Sequence, residues 1–185
     1  MPSKLNLASL QFKRAQPEDH RLLLQWLKNP PLRPWWETTA DCALTQQDLG
    51  NFVKGAGSIF THWLGGIEDR PLIYILTSDP DSPACTHLHP HLEDTGQTLT
   101  LDLYIGDSLK AHEHELIAQM LLAFVHSLPE TVSALTFDPQ AKNPAAIQIY
   151  TQAGFGKIAD WNPAEGPTAG SLHFLMKLKR TRKSN

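Results

Sequence analysis

A strand, an amphipathic helix and a second strand follow one another in the second half of the chain and restrict its fold class. Residues 97–105 alternate apolar and polar side chains, which indicates a strand, and residues 132–137 form another short strand. Between them, residues 113–127 carry apolar side chains at helical spacing, namely Leu116, Ile117, Met120, Leu121, Phe124 and Val125. This succession favours an α/β or α+β fold.

The remaining pattern extends this interpretation to the whole chain. Further strands are predicted at residues 7–14, 58–66, 71–77, 155–159 and 171–178, and further helices at residues 17–28, 45–54 and 144–153. The predicted order is strand, two helices, three strands, helix, strand, helix and two strands. Residues 78–96 are predicted to form a polar surface loop, because their prolines oppose regular structure.

Length and composition bound the class of protein. The 185 residues suit one domain, 1–185, with a core at about 10–178 and a basic tail at 179–185. A net charge of -3 gives no basic footprint for nucleic acid. Two cysteines, Cys42 and Cys85, fit a reducing compartment, and we expect a cytoplasmic protein without a signal peptide or a membrane segment.

The most specific motif lies in residues 136–155, which read TFDPQAKNPAAIQIYTQAGF. Asn143-Pro144 predicts a helix start, because Asn caps backbone N–H groups and Pro fits the first turn. Gly154 predicts the end of that helix. A strand ending in Asp-Pro, a helix beginning Asn-x-x-Ala-Ile-x-x-Tyr and an Ala-Gly-Phe turn together resemble the signature of the GNAT acetyltransferases, and most closely of the aminoglycoside 6'-N-acetyltransferases.

Two other segments share this resemblance, which covers roughly residues 10–178. Asp102-Leu103-Tyr104-Ile105-Gly106 is similar to the Asp-x-Phe-Ile-Gly segment of those enzymes, and Trp35-Trp36-Glu37 resembles part of their N-terminal third. The resemblance implies a mixed sheet of about six to seven strands with flanking helices. It also implies that residues 97–105 and 132–137 form a splayed parallel pair, whose exposed edge receives the pantetheine arm of acyl-CoA.

The implied activity is transfer of an acetyl group from acetyl-CoA to a primary amine of an amino sugar or similar polycation. Siderophore-type N-acylation is an alternative within the same fold, and a catalytically impaired binding module is an alternative from another class. The expected partner is a small-molecule amine, without nucleic acid or membrane, and the protein is expected to be a monomer or a homodimer.

Two residues are candidates for catalysis. Asp102 lies in an apolar stretch, where a carboxylate must find partners or face water, and by resemblance it faces the amine and helps to remove its proton. The alternative is an edge-strand aspartate that points to solvent. Tyr150 is by resemblance the general acid for the leaving thiolate, whereas the alternative is a packing residue.

The cofactor is expected to contact the strand segment Leu103, Tyr104 and Ile105, the helix start at Asn143 and Ala146, and Tyr150. Its pyrophosphate is expected at Lys110, His112, Glu113, His114 and Glu115. In that loop, glutamates stand where the family has two glycines, and their charge and side chains compete with a phosphate. Asn143 is either a cofactor contact or a helix cap, and the two roles are compatible.

The predicted substrate-binding residues are Trp35, Trp36, Glu37, Asp102 and Asp138. The tryptophans offer apolar and cation-π contacts to a polycation, although one of them is also a candidate core anchor. Cys85, His87, His89 and His91 raise the question of a metal site. Their alternating spacing differs from the separated ligand pairs of structural zinc sites, and no metal is expected.

Overall fold

The computed structural model describes residues 7–28, 39–81, 83–93, 95–106, 109, 113–165 and 168–180. Its strands are β1 (Leu10–Arg14), β2 (Thr61–Ile67), β3 (Arg70–Ser78), β4 (Gln97–Ile105), β5 (Val132–Phe137), β6 (Gly156–Trp161) and β7 (His173–Lys179). Its helices are α1 (His20–Lys28), α2 (Thr39–Val53), α3 (His114–Ser127) and α4 (Pro144–Gln152). These elements occur in the order that the sequence predicts.

Within the described residues, the strands form one seven-stranded sheet in the order β1-β2-β3-β4-β5-β7-β6. Neighbouring strands are antiparallel, except that β4 and β5 are parallel. A parallel pair needs a long crossover, and α3 supplies it here. The predicted fold class, a mixed sheet with flanking helices and a parallel strand pair in its middle, is confirmed.

Helices cover both faces of the sheet. On one face, the ring of Phe124 in α3 packs edge-on against Phe12 of β1 and Trp63 of β2, at centroid distances of 5.2 and 5.5 Å. On the other face, Thr45 of α2 lies 3.1 Å from the hydroxyl of Tyr104 in β4. The apolar side of α3 is buried as its periodicity predicts, so this helix fixes one layer of the core.

Residues 78–96 differ from the irregular surface loop that the prolines favoured. Pro83–His91 is a 3-10 helix, and Leu88 within it is buried. Lys177 of β7 forms an ion pair with Glu93 and donates to the carbonyl of His91, which ties this segment to the sheet. The prediction was wrong here because these anchoring contacts are distant in sequence.

The end of α4 explains the Ala-Gly-Phe turn physically. Gly154 has a φ of +96°, a conformation that favours glycine, and its N–H bonds the carbonyl of Thr151. The N–H of Phe155 bonds the carbonyl of Tyr150 at 2.9 Å, which completes a Schellman motif. The turn directs the ring of Phe155 back against Phe137, at a centroid distance of 5.1 Å.

Candidate active site

Two carboxylates mark the place where the parallel strands stop pairing. Among the described residues, the register of β4 and β5 ends at Thr100 and Thr136. Asp102 and Asp138 each lie two residues beyond that last pair, so the alternation of side chains carries both toward the same face. The candidate site is therefore the gap at the carboxyl ends of β4 and β5.

Asp102 is half-buried between the buried side chains of Leu101 and Leu103 in sequence, and it lies opposite Leu76 of β3. Its negative charge contributes to the raised pKa of both Tyr74 and Tyr150. Residues from β3 and α4 thus both lie within electrostatic reach of this carboxylate.

The phenol of Tyr150 in α4 lies within electrostatic reach of both carboxylates. Its ring stacks on Phe137 with centroids 3.8 Å apart and an interplanar angle of 15°. Burial is the main reason that the pKa of Tyr150 is raised, and the charges of Asp102 and Asp138 raise it further. The hydroxyl therefore keeps its proton at neutral pH, as a hydrogen-bond donor or a general acid requires.

The start of α4 is capped as the sequence predicts. The side chain of Asn143 accepts a hydrogen bond from the backbone N–H of Ala146 at 3.2 Å, and both residues are buried. This bond satisfies an N–H that the helix itself cannot pair. The capping role of Asn143 is confirmed, and its contact with a cofactor remains a prediction.

Leu103, Tyr104 and Ile105 are buried in β4, where they pair with Ile75, Tyr74 and Ile73 of β3. That pairing uses one edge of β4. Their predicted cofactor contact involves the opposite edge, beyond the point where the pairing with β5 ends.

Three of the predicted phosphate residues lie at the start of α3. Glu113 occupies the N-cap position without a side-chain capping bond. His114 donates from Nδ1 to the Oε1 atom of Gln148 at 3.0 Å, and Glu115 accepts from Gln119 at 3.4 Å. His114 therefore links α3 to α4. The other predicted phosphate residues, Lys110 and His112, lie outside the described residues, as do Trp35, Trp36 and Glu37.

Residues at the start of strand β7 form hydrogen bonds with the backbone around Asp138. His173 donates from Nδ1 to the carbonyl of Asp138 at 2.7 Å. Two backbone bonds follow, from Phe174 to the carbonyl of Pro139 and from Ala141 to the carbonyl of Leu172. These contacts fix the Asp-Pro segment between β5 and α4.

The side chain of Asp138 faces an imidazole that the sequence did not suggest as a partner. His87 Nε2 lies 3.7 Å from Asp138 Oδ2, with exposed side-chain fractions of 15% and 41%. The His87 ring stacks on Trp161 at a centroid distance of 3.6 Å and an interplanar angle of 4°. No sequence signal links these residues, because they lie on three separate segments and His87 stood out only as one of several neighbouring histidines.

A second polar cluster lies on the same face of the sheet. It consists of Asp48 of α2, His62 of β2 and Tyr74 of β3. Asp48 accepts from His62 Nε2 at 3.1 Å, from the Ser58 hydroxyl at 2.6 Å and from the Ile59 N–H at 2.9 Å. Because Nε2 carries the proton, Nδ1 of His62 accepts from the Tyr74 hydroxyl at 2.6 Å. We call these three residues the buried triad.

Burial sets the protonation of the buried triad. It lowers the pKa of His62, an effect that the neighbouring Asp48 charge opposes in part. It also raises the pKa of Tyr74, together with the charges of Asp48 and Asp102. The triad therefore consists of a carboxylate, a neutral imidazole and a neutral phenol, and each bond has one donor and one acceptor.

Two features are absent from the described part of the chain. No group of three or more His, Cys, Asp or Glu side chains there is arranged to hold a metal ion. No helix among the same residues is long and apolar enough to cross a membrane.

Two carboxylates thus follow the last paired residues of β4 and β5, and a protonated phenol lies within their electrostatic reach. Carboxylates attract an ammonium group and can accept its proton, and the phenol can supply one to a leaving group. This combination suits acyl transfer to an amine without a metal ion.

Comparisons with known proteins show the family and the fold. The family model described as an acetyltransferase (GNAT) domain matches residues 15–162. The crystal structure of an aminoglycoside N(6')-acetyltransferase from Legionella pneumophila is 25% identical, covers 92% of both chains and superposes with a TM-score of 0.75. No curated protein sequence matches the chain significantly.

More distant structures share the fold. Aminoglycoside acetyltransferase AAC(6')-Ib in complex with coenzyme A is 19% identical, with 93% of this chain and 95% of that chain covered and a TM-score of 0.71. The putative acetyltransferase yncA from Salmonella typhimurium, solved with acetyl-CoA, is 12% identical, with 95% and 97% covered and a TM-score of 0.55.

Proposed function

The chain belongs to the GNAT acetyltransferase family, and we propose that it transfers an acetyl group from acetyl-CoA to a primary amine of an amino sugar or a similar polycationic small molecule. The observation that carries this proposal is the pair Asp102 and Asp138, which lie on one face where β4 and β5 stop pairing. Membership of the family indicates acetyl transfer, and the two carboxylates favour a cationic acceptor.

Each step of the transfer has a candidate residue. The ammonium group of the acceptor binds beside Asp102, which takes a proton from it directly or through water, because an alkyl ammonium with a pKa of about 10 is not nucleophilic. The neutral amine attacks the thioester carbonyl, and a backbone N–H stabilises the oxyanion. The C–S bond breaks and the thiolate takes a proton from Tyr150, while the nitrogen of the new amide releases its second proton, which restores Tyr150 through water.

The use of acetyl-CoA is supported by the structural relatives that were solved with coenzyme A or acetyl-CoA. In this chain, β4 and α4 provide the predicted contacts at Leu103, Tyr104, Ile105, Asn143 and Ala146. The start of α3 has Glu113 and Glu115 in place of glycines, so we expect weak binding of the pyrophosphate. Lys110 and His112, with His114 when it is protonated, would offset part of that repulsion.

The choice of acceptor class rests on two supports. The Legionella pneumophila structure, at 25% identity, is that of an aminoglycoside N(6')-acetyltransferase. Structures of AAC(6')-Ib have been solved with ribostamycin and with kanamycin. Amino sugars carry several ammonium groups, which suits a site with two carboxylates. Trp35, Trp36 and Glu37 complete the proposed acceptor site.

Calorimetric titration with acetyl-CoA, followed by a thiol-release assay with a panel of primary amines, tests the proposal. We expect binding in the micromolar to millimolar range and turnover that depends on the added amine. Absence of both heat and a melting shift at millimolar acetyl-CoA would reject the cofactor. Binding without turnover on any amine would favour a binding module, the alternative from another class.

A further inference from the structure

The contact between His87 and Asp138 is unusual for a pair of buried and half-buried polar groups. At 3.7 Å, Nε2 and Oδ2 are too far apart for a hydrogen bond. Nε2 is shielded from water and has no hydrogen-bond partner among the described residues. Buried polar atoms are nearly always paired in folded proteins, so an unpaired Nε2 at this position is unusual.

The imidazole cannot easily turn away to find another partner. Its ring lies parallel to the indole of Trp161 at 3.6 Å, and that indole in turn meets the ring of His173 edge-on at 5.3 Å. His173 is fixed by its bond to the carbonyl of Asp138. The stack therefore holds His87 Nε2 toward the Asp138 carboxylate, and this packing sets the distance between the two groups.

A second unmet hydrogen-bonding atom lies in the same neighbourhood. Gln140 Oε1 is buried and has no partner within the described residues. Gln140 follows Asp138 by two residues, and its backbone forms a β-bridge with His173. Two buried polar atoms thus have no partner among the described residues, one facing Asp138 and one on the residue two positions after it, and this favours a polar ligand near Asp138.

The spacing fits a single bridging atom. An oxygen or nitrogen at about 2.8 Å from both Nε2 and Oδ2 satisfies both groups, since two atoms 3.7 Å apart can share such a neighbour. A hydroxyl can donate to the carboxylate and accept from Nε2–H, whereas an ammonium can donate to both when Nε2 is unprotonated. Because Nε2 is shielded from water, a ligand reaches it only when the Asp138 side chain, which is 41% exposed, moves aside.

We propose that His87 and Asp138 form a second acceptor subsite, which binds one hydroxyl or amino group of a polyfunctional amine, and that His87 determines acceptor specificity. This inference rests on the proposed function, because Asp102 then binds the reacting amine across the same gap. Trp161 is a positioning residue that holds the imidazole, and Gln140 lies beside the subsite.

Two matched amines test the subsite. 6-Amino-6-deoxyglucose and cyclohexylmethylamine both carry a primary amine on a methylene attached to a six-membered ring, and they differ in the hydroxyl groups. In His87→Phe, the aromatic stack on Trp161 is kept and the ring nitrogens are removed. We expect kcat/KM for the amino sugar to fall about tenfold, mainly through KM, whereas kcat/KM for cyclohexylmethylamine stays within about twofold.

Two further variants separate the subsite from general damage. His89→Phe makes the same change two residues along the same segment, at an exposed side chain that bonds the carbonyl of Pro80, and should behave as wild type. His87→Gln keeps a polar group without the ring, and should recover part of the selectivity. Equal losses for both amines in His87→Phe, or no loss for the amino sugar, would overturn the proposal.

A binding measurement without acetyl-CoA distinguishes the two proposals. Ligand-observed NMR gives the affinity of 6-amino-6-deoxyglucose for wild type and for His87→Phe. A tenfold difference in affinity without acetyl transfer would retain the subsite and reject the proposed reaction. Equal affinities would reject the subsite, even if the enzyme were active on both amines.

Discussion

The buried triad and the Asp102–Asp138 gap are two polar regions on one face of the same sheet, and they differ in how fully their groups are paired. In the triad, Asp48 has three donors and the imidazole of His62 is bonded at both nitrogens. In the gap, Asp138 is half-exposed and His87 Nε2 has no partner among the described residues. A fully satisfied cluster stabilises the fold, whereas an unsatisfied one is available to a ligand.

The largest effect is expected in the gap, from Asp102→Asn. The amide keeps the size of the side chain but cannot accept the ammonium proton, so kcat should fall about 100- to 1000-fold. The dissociation constant of acetyl-CoA and the melting temperature should change little. Steady-state kinetics and calorimetry give these values, and unchanged turnover would remove Asp102 from the mechanism.

The next effect concerns the buried triad, where Asp48→Ala should lower the free energy of unfolding by about 3 kcal/mol. The substitution leaves the buried His62 Nε2–H and the part-buried Ile59 N–H without their acceptor. Urea denaturation measures the loss. Asp160→Ala removes an exposed pair with Lys157 and should cost less than about 0.5 kcal/mol. A similar small cost for Asp48→Ala would show that the triad does not stabilise the fold.

Replacing Tyr150 or Tyr74 by Phe gives a matched comparison of the two regions, with smaller expected effects. Tyr150→Phe should lower kcat about tenfold, because the leaving thiolate loses its proton donor, with little change in stability. Tyr74→Phe should instead cost about 1–2 kcal/mol, because Nδ1 of His62 loses its donor, while kcat is retained. Kinetics of both variants should show the loss for Tyr150→Phe, and urea denaturation of both should show the loss for Tyr74→Phe. Parallel results in the two assays would remove the distinction between the regions.

The smallest effect is a pH dependence of stability that originates in His62. Its pKa is below the ordinary value of 6.5 in the folded protein, so the unfolded chain binds more protons between the folded pKa and 6.5. Stability contributed by neutral His62 is therefore lost as the pH falls below about 6.5, by at most about 1.4 kcal/mol per pH unit. Urea denaturation between pH 7.5 and 5.5 should show a shallower dependence in His62→Gln. Equal slopes would contradict the assignment.

The sequence predicted the regular elements well, because their signals are local. Periodicity gave β4 and β5 with their observed bounds, and the Asn143 cap and Gly154 gave both ends of α4. Helix α2 begins at Thr39, earlier than the predicted residue 45, since the periodicity before Thr45 is weak. The 3-10 helix Pro83–His91 was missed because its anchors on β7 and Trp161 are distant in sequence.

Residues of the candidate site could be predicted only where they lie within a sequence motif. Asp102, Asp138, Asn143 and Tyr150 lie on segments that resemble the family, and the structure brings them to one region. His87 and the buried triad have no such motif, since their partners are 12 to 74 residues apart. Their pairing follows from the register of the sheet and the docking of α2 and the 3-10 helix.

The position of β7 in the sheet has a consequence for the order in which the site can be assembled. This strand lies between β5 and β6, although it follows both in the chain, and its first residues hold the backbone of Asp138 and Pro139. On a translating ribosome, Asp138 emerges before His173, so this carboxylate has no fixed backbone until the later hairpin has been synthesised. The nascent chain therefore gains the proposed acceptor site late, after most of its hydrophobic core is available to fold.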